Sequence, residues 1–358
     1  MLNNAIAVGN TIISEYNRPY FIADIAANHD GCLDRAYRLI ELAKEAGADC
    51  AKFQNFQAAK IVSRNGFDTL GSQLSHQASW KKSVFEVYED ASIPEDWSAL
   101  LKAKCDEVGI EYMTSPYDYQ SIDATDQYLN AYKIGSGDIT WVKILEYIAK
   151  KDKPVFLATG ASSLEDVQRA VDAILALNTK LVIMQCNTNY TASCKNYNHI
   201  NLNVLTKYRQ LFPNCLLGLS DHTLGHATVL GAIALGARVI EKHFTDDNNR
   251  MGPDHKFSMN SNTWRDMVDR ASELYVSLGD GIKRIEDNEK ETAIVQRRCL
   301  YYQKDLTKGQ IITEDDVFPL RPFKQNGIQP YEQDEILGRV LQVDVKKDEH
   351  VKWSDINA

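Results

Sequence analysis

Residues 216–255 read LLGLSDHTLGHATVLGAIALGARVIEKHFTDDNNRMGPDH. An apolar run, Leu216 to Leu219, ends on Ser220, Asp221 and His222. Small and aliphatic residues then fill a helical stretch from His226 to Gly236. A second run, Ala237 to Ile240, ends on Glu241, Lys242 and His243. The pattern is strand, helix, strand, with polar residues at the C-terminal tip of both strands. Barrels of parallel strands carry their active sites at that end. Period-two alternation sets Glu241 and His243 on one face with Val239 behind them. If the two strands are neighbours, His222 and His243 converge on one rim and form half of a metal site. The plainer reading is two independent hydrogen-bonding histidines, because no tight motif such as H-x-x-x-H is present.

The same alternation extends outward along the chain. Strand patterns fall at 21–26, 50–54, 111–115, 131–136, 155–160, 181–187, 216–220 and 237–244. Helical patterns lie between most of them, among them 33–46, 97–108, 142–150 and 164–177, and another follows at 264–278. Eight strand–helix units over about 250 residues predict a (β/α)8 barrel. A doubly wound open sheet is the alternative. A short hairpin over 5–15, turning at Gly9-Asn10, precedes the first unit. The connection 57–96 is long and holds Trp80, Phe85 and Tyr88, so it is expected to be ordered and to lie over the barrel mouth. The expected domains are a barrel over 1–282, a charged linker over 283–295 and a small domain over 296–358. The last contains an internal echo, DLTKGQIITEDDV (305–317) against DVKKDEHVKWSDI (344–356).

Composition narrows the class. The 358 residues carry a net charge of −9, so a chain-wide basic footprint for nucleic acid is absent. Seven cysteines, an odd number with no C-x-x-C pair, fit reduced thiols in a cytoplasmic protein. No signal peptide is apparent at the N-terminus, and no apolar run approaches the roughly 20 residues of a membrane helix.

The strand tips hold a coherent set of side chains: Asp24, Lys52, Gln54, Ser115, Lys133, Ser136, Ser220, His222, Glu241 and His243, with Tyr190 and Asp254 in the loops beyond. A lysine inside a barrel is costly unless paired. Lys52 and Lys133 among hydroxyls suit a strongly anionic group, phosphate or carboxylate. A structural ion pair with a carboxylate such as Glu241 is the competing explanation for either lysine. Asp24 and Asp254 are candidate contacts to a hydroxylated or amino sugar, although loop aspartates often only turn the chain. The residues alone therefore point to a metal-assisted enzyme acting on a phosphorylated or carboxylated small molecule.

Four longer motifs go further: KEAGADCAKFQNF (44–56), AYKIGSGDIT (131–140), LGLSDHTLGHA (217–227) and VIEKHFTDDNNRMGPDH (239–255). Together with FIADIAANHDG near the start, they make the chain resemble the sialic acid synthase family: N-acetylneuraminate, legionaminate and pseudaminate synthases. The C-terminal domain resembles their antifreeze-like domain. The resemblance implies condensation of phosphoenolpyruvate with an N-acylated amino sugar aldehyde. It implies His222 and His243 as ligands of a divalent metal, Mn2+ first, with Mg2+ or Co2+ as alternatives. Lys52, Ser115, Lys133, Ser136 and Ser220 would hold phosphoenolpyruvate. Gln54, Tyr190 and Asp254 would face the sugar, and Arg321 would reach a partner's sugar site in a domain-swapped homodimer. Asp24 and then Glu241 are the candidate bases. The chain departs from the family pattern at Asp24, where Glu is usual, and at Ala158 and Thr188, which puts the particular sugar in question. A metal-dependent barrel aldolase, a phosphate-dependent isomerase and a non-catalytic sugar-binding or ice-binding protein are the competing classes.

Overall fold

Residues 5–70 and 72–357 are described by a computed structural model. Residues 1–4, Gly71 and Ala358 fall within the expected barrel, mouth loop and C-terminal domain but lie outside the described residues. Ala5–Val8 (β1) and Thr11–Ser14 (β2) pair as the expected antiparallel hairpin. Tyr20–Asp24 (β3), Cys50–Asn55 (β4), Glu111–Pro116 (β5), Tyr132–Ile134 (β6), Val155–Ala158 (β7), Leu181–Cys186 (β8), Leu216–Asp221 (β9) and Ala237–His243 (β10) follow. These eight form one parallel sheet in the order β5-β4-β3-β10-β9-β8-β7-β6. Its edge strands β5 and β6 lie side by side, so the sheet is a nearly closed (β/α)8 barrel. Every strand neighbours its sequence neighbours, and the chain winds once round, as short crossovers require.

Alternation sorts the side chains into layers. Tyr20, Ile22, Cys50, Met113, Phe156, Val182, Met184, Leu216 and Val239 fill the lower interior. Ile6, Val8 and Ile13 of the hairpin pack into the same cluster and plug the N-terminal end. The helices cover the outside. Leu33–Glu45, for example, buries Ala36, Leu39, Ile40 and Ala43, a stripe at helical spacing, in the outer core. Gly218 is needed where β9 meets its neighbours: a Cβ there would lie 2.9 Å from Met184 Cγ and 2.9 Å from the Val239 carbonyl.

Two of the boundaries that differ from expectation have a clear local cause. The fourth strand stops at Ile134, because Gly135 and Gly137 release the chain into a 3-10 turn over Ser136–Asp138. The last barrel helix starts at Ser261 rather than 264, because Asn260 accepts the amide N–H groups of Asn262 and Thr263 and caps it. The 57–96 connection folds into short helices, Ala58–Ile61, Arg64–Asp68 and Val84–Ala91, with a 3-10 turn at Ser75–Ser79.

The chain divides into two compact units at Gly279/Asp280. The second has its own core, including Leu300, Tyr302, Ile312, Val317, Val345 and Val351, and an antiparallel pair, Cys299–Tyr302 (β11) with Val317–Leu320 (β12). The sequence echo is a structural repeat. Asp344 accepts the Lys308 N–H and Asp305 accepts the Lys347 N–H. Gly309 (φ 90°) and Asp348 (φ 67°) occupy matching left-handed turns. No helix among the described residues is long and apolar enough to cross a membrane.

Candidate active site

Strand register builds the mouth. His243 is the Cα partner of Asp24, Asp24 of Lys52, Gln54 of Ser115, and Glu241 of Ser220. These pairings bring residues from β3, β4, β9 and β10 onto the inward face of one rim, and Lys133 of β6 joins them. Lys52 Nζ donates to Asp24 Oδ2 at 2.7 Å and lies 3.9 Å from Glu241 Oε2. Lys133 Nζ lies 3.3 Å from Glu241 Oε1, which also accepts the Ser220 hydroxyl at 3.0 Å. Gln54 Nε2 donates to Asp24 Oδ2 at 3.2 Å. All four charged groups are at most 4% exposed. The ion-pair explanation of the lysines therefore holds: each is paired with a carboxylate, and the pairs stand together at the mouth.

The electrostatics follow from that packing. Burial would raise the Glu241 carboxyl, but the Lys133 and Lys52 ammonium groups and the Ser220 hydroxyl outweigh it and hold it down at about 2. Burial raises the Asp24 carboxyl against the pull of Lys52, and the Glu241 charge pushes the same way. Glu241 Oε2 is buried with no hydrogen-bond partner.

The two imidazoles converge. Their ring centroids are 5.4 Å apart, on the same side of the ring. His222 Nδ1 lies 2.8 Å from the Asn187 carbonyl. That contact requires the proton on Nδ1 and leaves the Nε2 lone pair available. His243 Nε2 is 3.6 Å from Asp24 Oδ2, and its buried Nδ1, 3.9 Å from Asp254 Oδ2, has no hydrogen-bond partner. Burial lowers both rings to about 3; the neighbouring His243 adds to this for His222, and Lys52 for His243. Both are therefore neutral nitrogen donors. Among the described residues no group of three or more His, Cys, Asp or Glu side chains is placed to hold a cation. Two neutral imidazoles side by side are a donor set that would suit an ion completing its shell with oxygens.

Tyr190 lies against His222 at 4.2 Å between ring centroids, and the Phe257 ring is 4.8 Å from that of His243. The mouth loop reaches the same place, with the His76 ring 4.9 Å from Tyr190. Asp254 accepts the Ala27 N–H at 3.2 Å, which ties its loop to the segment after β3, and burial raises its carboxyl to about 7. Ser115 is buried in β5. Ser136 accepts the Gly160 N–H at 2.9 Å; a Cβ on Gly160 would lie 2.5 Å from Thr188 Cγ2 and 2.9 Å from Ser136 Oγ. Arg321 is exposed in the second unit, after β12.

Several side chains at the mouth were not singled out from the sequence. Asp138 is raised to about 6 by burial, against the pull of Lys133. Tyr117 is raised by burial and by the nearby Asp138 charge. The GSGD run was the available signal for Asp138, but nothing in it shows that the carboxylate would be buried. Thr245 and Asp30 hold the two ring nitrogens of buried His255, at 2.8 and 2.9 Å, and steady the loop that carries Asp254.

Comparison with known proteins agrees with the fold. A family model described as NeuB family matches residues 39–283, and one described as SAF domain matches residues 297–357. The N,N'-diacetyllegionaminic acid synthase of Legionella pneumophila is 34% identical over 95% of this chain and 95% of its own length. The pseudaminic acid synthase of Campylobacter jejuni (strain 81-176) is 30% identical over 94% and 96%. The crystal structure of N-acetylneuraminic acid synthetase from Leptospira borgpetersenii, in complex with citrate, superposes with a TM-score of 0.71 at 25% identity. It covers 81% of this chain and 95% of that one.

Proposed function

This chain belongs to the NeuB family, and from that premise we propose that it joins phosphoenolpyruvate to the open aldehyde form of an N-acylated amino sugar. The sugar is N-acetylmannosamine or a 2,4-diacetamido-2,4,6-trideoxyhexose, and the products are a nine-carbon 2-keto acid and phosphate. The observation that carries this reading is the convergence, at one barrel mouth, of two neutral buried imidazoles with two buried ammonium groups. The related legionaminic and pseudaminic acid synthases support a sialic-type acid as the product class.

In this reading Lys52 and Lys133, with Ser115, Ser136 and Ser220, hold the phosphate and carboxylate of phosphoenolpyruvate through charge-assisted hydrogen bonds. Gln54, Tyr190 and Asp254 line the sugar side. Arg321 serves a partner's sugar in a swapped dimer. His222 and His243 hold a divalent ion, Mn2+ first and Mg2+ or Co2+ as alternatives, which when bound supplies Lewis-acid polarisation of the aldehyde oxygen. The rigid strand ends align C3 of the enol with the aldehyde carbon, and a carbon–carbon bond forms. Water adds at C2, the C2–O bond to phosphate breaks, and the lysines stabilise the departing charge. Asp24 takes one proton of that water and passes it to the oxygen of the former aldehyde, and the other leaves with the phosphate as the C2 ketone forms. Glu241, whose charge the Lys133 and Lys52 ammonium groups stabilise, is the weaker base of the two and keeps the two lysines in place.

The test is to incubate the full chain with phosphoenolpyruvate, Mn2+ and each candidate sugar, following phosphate and product mass. Phosphate and a nine-carbon keto acid appearing in equal amounts is the expected result. Turnover without consumption of phosphoenolpyruvate would assign a metal-dependent aldolase or isomerase. No phosphate with any of the sugars would overturn the condensation.

A further inference from the structure

Two buried residues beside the histidines have no part in the chemistry above. Lys242 stands between Glu241 and His243, and Asp221 between Ser220 and His222. Alternation turns both away from the mouth, to the outer face of the sheet. They are Cα partners across β9 and β10, and each side chain is 1% exposed. Lys242 Nζ donates to Asp221 Oδ2 and, at 2.6 Å, to the Thr223 carbonyl. A single ammonium group thus binds the residue before His222 and the residue after it, while its own backbone leads into His243. Asp221 is fully engaged as well. It accepts the Thr223 N–H at 3.2 Å, the Thr223 hydroxyl at 2.8 Å and the Thr228 hydroxyl at 2.7 Å.

A buried ion pair is a poor source of stability, since a well-packed apolar pair of similar volume often does as well or better. What this one supplies is geometry. It fixes the backbone on both sides of one histidine relative to the strand that ends in the other.

We propose that Lys242 and Asp221 are positioning residues for the cation site: from the outer face of the sheet they set the separation of His222 and His243 on the inner face. This rests on the reading of those histidines as cation ligands. Groups that orient metal ligands from behind typically contribute 10- to 100-fold in metal affinity.

The experiment measures Mn2+ binding to the chelator-treated full chain by calorimetry, with and without phosphoenolpyruvate. It also measures phosphoenolpyruvate binding without metal. The variant is Asp221→Asn/Lys242→Met, which removes both charges together and leaves neither unpaired in the core. The expected result is a Mn2+ Kd weakened by roughly 10- to 100-fold, with phosphoenolpyruvate affinity and the far-ultraviolet dichroism unchanged. Thr228→Val, which deletes one donor to Asp221 without stranding a charge, shifts the Kd the same way by less and keeps the test available if the double variant does not fold. Bound Co2+ gives a second readout, because its visible absorption changes with ligand geometry. Unchanged Mn2+ affinity in the variants would overturn the proposal. An equal loss of phosphoenolpyruvate binding would overturn it too, by assigning the pair to general stability. If the parent chain binds no Mn2+ under either condition, the reading of the histidines as ligands fails first and the proposal falls with it.

Discussion

Two buried ion clusters stand back to back where β9 and β10 end, an outer pair of Asp221 with Lys242 and an inner group of two lysines, two carboxylates and two imidazoles. On the outer face, Asp221 accepts four hydrogen bonds and Lys242 makes two. On the inner face, Glu241 keeps one oxygen without a partner, and His243 keeps a ring nitrogen without one. A buried polar network that is fully satisfied adds rigidity, and one that is half satisfied costs stability. The inner cluster is the incomplete one, and in the function proposed above it is completed by phosphoenolpyruvate on the lysines and a cation on the imidazoles. The outer cluster is complete in itself and holds the frame.

The largest effect that could break this contrast is at the histidines. His222→Ala or His243→Ala should lower Mn2+-dependent phosphate release by roughly a thousandfold, the scale of losing a main electrostatic contribution to the transition state. Folding, followed by dichroism, should be retained.

The two faces can next be compared directly. Lys242→Met leaves the Asp221 charge unpaired in the core and should cost about 3–5 kcal/mol of stability by denaturant titration. Lys133→Met leaves Glu241 its contact with Lys52 and should cost less, while raising the KM for phosphoenolpyruvate roughly 10- to 100-fold, the worth of a charged hydrogen bond. Equal stability losses at the two lysines would erase the distinction.

Arg321→Ala tests whether the inner site is complete within one chain. If a partner's arginine serves the sugar, the KM for the sugar rises by roughly tenfold and that for phosphoenolpyruvate is unmoved. The smallest effect is in pH. Asp138 is held at about 6 in the fold, against about 3.9 when unfolded. Between those values the folded chain keeps a proton that the unfolded chain has released. This group therefore makes stability fall as pH rises from about 4 to about 6, and the loss persists above that range. Asp138→Asn should flatten the slope, measured by denaturation at the two ends of that range.

Much of this was legible in the sequence, for physical reasons. The barrel follows from eight alternating units, and the convergence of His222 and His243 follows from strand period once β9 and β10 are neighbours. The family expectation rested on long motifs and is borne out by the matches to related chains. The outer clamp was not legible. Pairing of Lys242 with Asp221 depends on register between two strands, and periodicity within either strand does not supply it. The strand pattern runs on to Ser136 because the apolar run before it carries no stop signal other than glycine, whereas the fold turns there. Asp138 is not legible in the sequence, because its raised carboxyl comes from burial within the folded mouth and its neighbours in sequence do not reveal that.

The most direct measurement is a crystal of the full chain soaked with phosphoenolpyruvate and Mn2+, with anomalous scattering recorded at the manganese edge. The account predicts one strong peak between the imidazoles of His222 and His243, with the phosphate and carboxylate of phosphoenolpyruvate on Lys52 and Lys133. Manganese bound away from both histidines, or phosphoenolpyruvate seated clear of both lysines, would contradict it.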